Sequence, residues 1–324
     1  MRRGLIRGGS VAALAAVSLL ALAPGALAGP NLRRFEVPSG YRAPFLIADG
    51  PDGNLWFTMN FGNEVGRITP SGVITEFRVP TANSAPYGIT AGPDANVWFV
   101  EQYGGKIGRI SPSGLVEFPL DDPFSHPAQI TAGPDGNLWF TEVQGNAIVR
   151  MTPAGVETDF PIPTKTAYPH DIITGPDGNL WFTEWGPETA PNRIGRITPT
   201  GNITEFQIPT FNCQPDGIAA GPDGNLWFAE YAGRKIGRIT PSGSITEYSI
   251  PSGGNPNEIT AGPDGKLWFT ENSAGRVGTI TISGLVTEFP PKAQTPFGIV
   301  EGPNGKNIWF AEQSGNDIVE VRVP

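Results

Sequence analysis

Histidine is scarce in this chain of 324 residues: His126 and His170 are the only two. Imidazole titrates near neutrality, which makes it the side chain best suited to moving protons there. His170 is the more pointed candidate, because Asp171 follows it, and a longer loop downstream carries Trp185 and Glu188. Cys213 is the single thiol and has no histidine beside it in sequence, so it reads as an ordinary loop cysteine and not as a nucleophile. Carboxylates are more regular. A Glu follows a Trp-Phe-containing run at Glu101, Glu142, Glu184, Glu230, Glu271 and Glu312, with Met59 at the seventh such place. Six identical acids in equivalent positions read as scaffold, with one of them open to recruitment by a metal.

That regularity belongs to a repeat. Gly-Pro-Asp-Gly-Asn-Leu-Trp-Phe-Thr-Glu stands at 133–142 and 175–184, and with Ala229 for Thr at 221–230. The Trp-Phe pair recurs at Trp56, Trp98, Trp139, Trp181, Trp227, Trp268 and Trp309, at intervals of 42, 41, 42, 46, 41 and 41 residues. Pro-Asp-Gly-Asn is a tight turn, and the aromatic run after it suits a strand covered on both faces. A run of the Lys-Ile-Gly-Arg-Ile type, a Thr-Pro-Ser-Gly turn and a run of the Ile-Thr-Glu-Phe type follow, and an extended run such as 88–91 precedes. Four short antiparallel strands every 40 to 45 residues predict an all-β, seven-bladed β-propeller. The stretch 35–38 reads as a fourth strand with no partners before it, and the last copy ends after its third strand at 317–323. The N-terminal strand is therefore expected to complete the last blade and close the ring, which removes the exposed edges.

In a closed ring the copies differ most usefully at the mouth of the central channel. The residue after the Pro leading into each first strand is Phe45, Tyr87, Ala128, His170, Asp216, Asn257 and Phe297. One side of the mouth is thus aromatic and the other polar, suited to a small-molecule or peptide-like amphipathic ligand. The next residues, Leu46, Gly88, Gln129, Asp171, Gly217, Glu258 and Gly298, vary as well, and the sequence leaves open which of each pair faces the channel. The fourth copy has nine residues between Glu184 and Ile194 where the fifth has five between Glu230 and Ile236, and Trp185 lies in that longer loop. His170, Trp185 and Glu188 are expected to be neighbours.

Residues 1–28 have Arg2, Arg3 and Arg7, an apolar run at 11–23 and Ala26-Leu27-Ala28, the pattern of a cleavable secretory signal. A single propeller domain over 29–324, secreted or periplasmic and monomeric, is the expectation. Losing that leader removes three arginines and no acid, taking the formal net charge from −9 to −12. Such a surface repels nucleic acid, and no later stretch is long and apolar enough for a membrane span.

The repeat, with Tyr168-Pro169-His170-Asp171-Ile172 and Trp181-Phe182-Thr183-Glu184-Trp185-Gly186, resembles the streptogramin B lyase (virginiamycin B lyase) family over about 35–323. The resemblance implies a seven-bladed propeller that opens cyclic depsipeptide antibiotics by Mg²⁺-assisted elimination at the ester. It places a site histidine at His170. Where the family has Glu-Pro-His, with that histidine as general base, this chain has Gln214-Pro215-Asp216, and a further family Glu falls at Tyr231, beside Glu230. The implied set is therefore His170, Asp216 and Glu230 as catalytic residues, with Asp216 and Glu230 holding Mg²⁺. Trp185, Tyr87, Phe45, Phe297, Asn257 and Tyr231 would line the substrate. An ordinary carboxylate near pKa 4 is poorly matched to removing a proton from carbon unless its pKa is raised. An enzyme on another ester, lactone or glycan, and a secreted binding module without turnover, are the competing expectations.

Overall fold

The Pro-Asp-Gly-Asn turn works through its aspartate. In the third copy Gly136 takes a φ of 76°, and the Gly133 N–H donates to the Asn137 carbonyl at 2.8 Å. Asp135 Oδ1 then accepts from the Asn137 N–H at 3.2 Å and from the Trp139 indole N–H at 3.0 Å. One carboxylate thus holds both the turn and the tryptophan that follows it. The same indole-to-aspartate bond, 2.8 to 3.0 Å long, recurs from Trp56, Trp98, Trp181, Trp227 and Trp268. In the seventh copy Asn304 stands in the turn, and the Trp309 indole N–H has no partner among the described residues.

The computed structural model describes residues 31–187, 190–290 and 292–323. Among them are seven four-stranded antiparallel sheets, the blades of a β-propeller, as the repeat predicts. The innermost strands are Pro44–Asp49, Pro86–Ala91, Pro127–Ala132, Pro169–Thr174, Pro215–Ala220, Pro256–Ala261 and Pro296–Glu301. The second strands of the first six blades, such as Leu138–Glu142 and Leu180–Glu184, are buried at every position. Phe57, Phe99, Phe140, Phe182, Phe228 and Phe269 are fully buried, and each contributes about 2–3 kcal/mol of transfer free energy. The room for these rings comes from glycine: a Cβ on Gly195 would lie 2.1 Å from the Phe182 ring.

The last blade closes as expected. Asn31–Glu36 pairs antiparallel with Asp317–Arg322 as its outermost strand. This strand begins before Phe35 and stops at Glu36, since Pro38 has no N–H to extend the ladder. Arg34 then reaches back to Glu312 at 3.1 Å. The leader read at 1–28 lies outside the described residues. Among the described residues no helix is long and apolar enough to cross a membrane.

Candidate active site

Every innermost strand carries a β-bulge just after its proline. In the fourth blade Pro169 pairs with Glu184 and the next register pair is Ile172 with Phe182, so His170 and Asp171 both stand opposite Thr183. Such an extra residue re-aims side chains. Side chains from both positions consequently line the channel, at two levels: the first position at the mouth in every blade but the third, and the second position deeper wherever it is not glycine. The first ring lines a cavity of about 300 Å³ at the mouth, bounded by Phe45, Tyr87, His170, Trp185, Gln214, Asp216, Tyr231, Asn257, Asn272 and Phe297. The second ring, with Leu46, Gln129, Asp171 and Glu258, lines the channel beyond it.

Threonine stitches these bulges to their neighbours. The Thr141 hydroxyl accepts the Gln129 N–H at 3.1 Å and donates to the His170 carbonyl at 2.8 Å, fixing the backbone of the fourth blade from the third. Thr58 does the same between Leu46 N–H and the Tyr87 carbonyl, and Thr270 between Glu258 N–H and the Phe297 carbonyl. Blades with Val100, Ala229 or Ala311 at this position have Gly88, Gly217 or Gly298 in the bulge. A Cβ on any of these three glycines would come within 2.8 Å of backbone in the adjacent blade. A bulge with a side chain thus comes with a threonine, and a bulge without one presses directly on its neighbour.

At the mouth the polar and aromatic arcs meet. His170 Nδ1 lies 2.8 Å from Asp216 Oδ1, close enough for an ion pair though not aligned as a linear hydrogen bond. The other oxygen of Asp216 accepts from Asn257 Nδ2 at 3.1 Å, and Asn257 Oδ1 accepts the Asn272 N–H at 3.3 Å. On the far side, His170 Nε2 is 3.1 Å from the Tyr87 hydroxyl. Tyr87 belongs to the second blade and reaches past Ala128, whose small side chain leaves the way clear. Phe45 packs on Tyr87 at 4.6 Å and on Phe297 at 4.1 Å between ring centroids. Trp185 lies flat on the imidazole, with centroids 4.6 Å apart and planes 16° from parallel. Its indole N–H has no partner among the described residues. Glu188, expected beside it, lies outside the described residues.

Electrostatics follow from this packing. Burial pulls the His170 pKa down, but Asp216 beside the ring, with a smaller push from Asp171, leaves it above its ordinary value. Tyr87 is held well above the usual phenol range, first by burial and then by the charges of Asp216, Glu258 and Asp171. Asp171 is raised to about 6 by burial, against the Ile172 and Ile218 N–H groups that its carboxylate accepts at 2.8 and 2.7 Å. Glu258 is raised well above the carboxylate range by burial and then by Asp171 and Asp216.

Of the residues named from sequence, His170, Asp216, Trp185, Tyr87, Phe45, Phe297, Asn257 and Tyr231 all border the one cavity. Glu230 does not. Its fully buried carboxylate turns onto Gly233, where a Cβ would lie 2.6 Å from Oε2 and 3.0 Å from the Cβ of Cys213. Neither carboxylate oxygen has a hydrogen-bond partner among the described residues. Its pKa is raised to about 8, by burial and then by Glu247. The pair named for Mg²⁺ therefore does not converge. Both oxygens of Asp216 already face protein groups, and no group of three His, Cys, Asp or Glu side chains among the described residues is arranged to hold a metal. The donor set does not fit the cation expected there.

Sequence reasoning misses two lining residues, Gln214 and Asn272. Asn272 follows the shared Glu271, the place that Trp185 and Tyr231 hold after Glu184 and Glu230, so that column of the repeat carries the signal for it. Gln214 sits before its proline in the left-handed region, φ 49°, as do Ala43, Ala85, His126, Tyr168 and Thr295. Of these six, Gln214 alone borders the cavity. Cys213, beside it, is buried in the core between blades, where burial pushes its thiol up and away from reactivity. His126 stands apart from the site, edge-on to Tyr103.

Comparison with known proteins agrees with this architecture. No curated protein matches the chain. A solved streptogramin B lyase is 37% identical, over 91% of this chain and 98% of that one, with a TM-score of 0.85. A catalytically inactive histidine-to-alanine variant of virginiamycin B lyase from Staphylococcus aureus, solved with quinupristin, is 40% identical over 91% of this chain and 99% of that one, again with a TM-score of 0.85. A gluconolactonase from Xanthomonas campestris, 16% identical over 92% of this chain and 99% of that one with a TM-score of 0.57, shares the fold alone. The model of the virginiamycin B lyase family matches residues 27–185 and 185–323, and this chain belongs to that family.

Proposed function

We propose that the channel mouth is a lyase-type active site that opens the ester of a cyclic depsipeptide by elimination. The observation that carries this reading is the connected series Tyr87, His170, Asp216, Asn257, in which a buried imidazole has a different partner on each ring nitrogen. Asp216 on Nδ1 favours the tautomer that leaves Nε2 free of a proton, and it stabilises the imidazolium that forms when Nε2 accepts one. His170 thus takes the role of general base, with Asp216 orienting it. Nε2 removes the proton α to a carbonyl, the electron pair forms the new carbon–carbon double bond, and the carboxylate leaves from the β-carbon. Trp185 and the Phe45–Tyr87–Phe297 arc supply apolar walls for the ring of the ligand, and Asn257, Gln214 and Tyr231 supply polar contacts.

Incubation of the purified protein with quinupristin, followed by mass spectrometry, tests this. Elimination leaves the mass unchanged while altering fragmentation and absorbance, whereas hydrolysis adds a water. His170→Ala is expected to lower turnover by roughly 10²–10⁴-fold, the usual contribution of a positioned base. A second reading, a binding module without turnover, is favoured by Asp216 standing where the family motif carries its basic histidine. In that case quinupristin is retained unchanged and His170→Ala weakens binding little. We also propose that the protein works as an exported monomer, on the strength of the leader at 1–28. An intact mass in the culture medium matching loss of those residues, with light scattering for the monomer, checks both points.

A further inference from the structure

We propose that the Tyr87 hydroxyl is a catalytic hydrogen-bond donor that stabilises the enolate oxygen formed when His170 removes the α-proton. This inference rests on the lyase reading above and assigns the group that meets the developing negative charge. Elimination places that charge on the carbonyl oxygen next to the carbon being deprotonated, within a few ångströms of the base. A donor aimed there is the largest single source of stabilisation such a site usually has. The candidate metal ligands do not gather at the mouth, and Glu230 points elsewhere. What does stand beside the base is one hydroxyl, Tyr87 Oη, 3.1 Å from Nε2.

Its position is fixed. The ring packs between Phe45 and His170, the latter edge-on at 5.9 Å, and the backbone carbonyl is anchored by Thr58 at 2.7 Å. Only the hydroxyl hydrogen has to swing from Nε2 to the ligand's oxygen when a C–H is presented to Nε2, and that rotation needs no movement of backbone or ring. Burial first, and then the neighbouring Asp216 carboxylate, oppose a phenolate here and keep the group a neutral donor, which separates its role from that of the base. Atoms and electrons balance within the substrate and the imidazole. The C–H proton goes to Nε2, its electron pair becomes the new double bond, the ester carbon–oxygen bond breaks, and the carboxylate carries off that pair. Tyr87 keeps its proton throughout, so the product is an isomer of the substrate.

Tyr87→Phe removes only the donor. Phe45 and Phe297 occupy the same place in the first and seventh blades, so a phenyl ring suits this scaffold. With quinupristin as substrate, Tyr87→Phe is expected to lower kcat by roughly 10²–10³-fold, the usual loss of one such donor. Quinupristin affinity, read from the quenching of tryptophan fluorescence, should change by less than about threefold, because the apolar wall is intact. Tyr87→Met, which also lacks a donor, gives the same readout should the phenylalanine variant melt early. If wild type converts quinupristin and both variants keep kcat within about threefold of it, the donor role is overturned while the lyase reading stands. If wild type leaves quinupristin unchanged, the lyase reading falls and the donor role with it.

Discussion

Asp216 touches His170 on one side and Asn257 on the other, so its effect on the imidazole is both orienting and electrostatic. Because its negative charge raises the His170 pKa, Asp216→Asn should lower that pKa. The base must be neutral to act, so activity rises as pH climbs through it, and in Asp216→Asn this acid limb should move to lower pH. The rate on the plateau should also fall, by roughly 10²–10⁴-fold, because asparagine cannot balance an imidazolium. A pH profile of kcat for quinupristin in wild type and variant reads both effects. A limb that stays in place would mean that the titrating group is not His170.

Elements explain why this imidazole is held so firmly. Thr141 contributes nothing to the cavity, yet it bonds the His170 carbonyl and the Gln129 N–H across two blades. Thr141→Val keeps the shape and strips both bonds, so a loss of about 1–3 kcal/mol is expected from the buried groups left without partners. Denaturant midpoints measure it. The strands and the mouth are legible in the sequence because each copy repeats its turn, its Trp-Phe pair and its entry proline. His170, Tyr87, Asn257 and the phenylalanines emerge from comparing one column of that repeat. The contacts between columns are not legible. Tyr87 reaches His170 past a blade represented only by Ala128, and the two are 83 residues apart in the chain. Glu230 fails as a site residue for the complementary reason. It ends its strand and turns its carboxylate onto Gly233, whereas Tyr231, in the turn that follows, borders the mouth.

For the molecule as a whole, the repeated glutamates set a pH dependence. Burial above all raises Glu101, Glu142 and Glu271 to about 7 and Glu230 to about 8, from an ordinary 4.5. Between those limits the folded chain keeps protons that the unfolded chain has released, so stability declines as pH rises through that window. On the acid side, the turn aspartates Asp52, Asp94, Asp135, Asp177, Asp223 and Asp264 are all lowered, and their contribution disappears as pH falls through their depressed values. The thermal midpoint should therefore be highest near about pH 5 and fall towards about pH 8, as differential scanning calorimetry can show. A flat profile would mean that these glutamates ionise freely in the folded ring.

The closure of the last blade by the N-terminal strand has a mechanical corollary. The strand at Asn31–Glu36 and the strand at Asp317–Arg322 lie side by side, so traction on both ends of the propeller would load that join before any other. Phe45 of the first blade and Phe297 of the last stack where those two blades adjoin at the mouth, on the side where a ligand would rest. A molecule seated there acts as a rivet between first blade and last. Once the strand at Asn31–Glu36 has come away, such a molecule would hold the first blade against the last, so cargo would show in the second step of forced opening and not in the first.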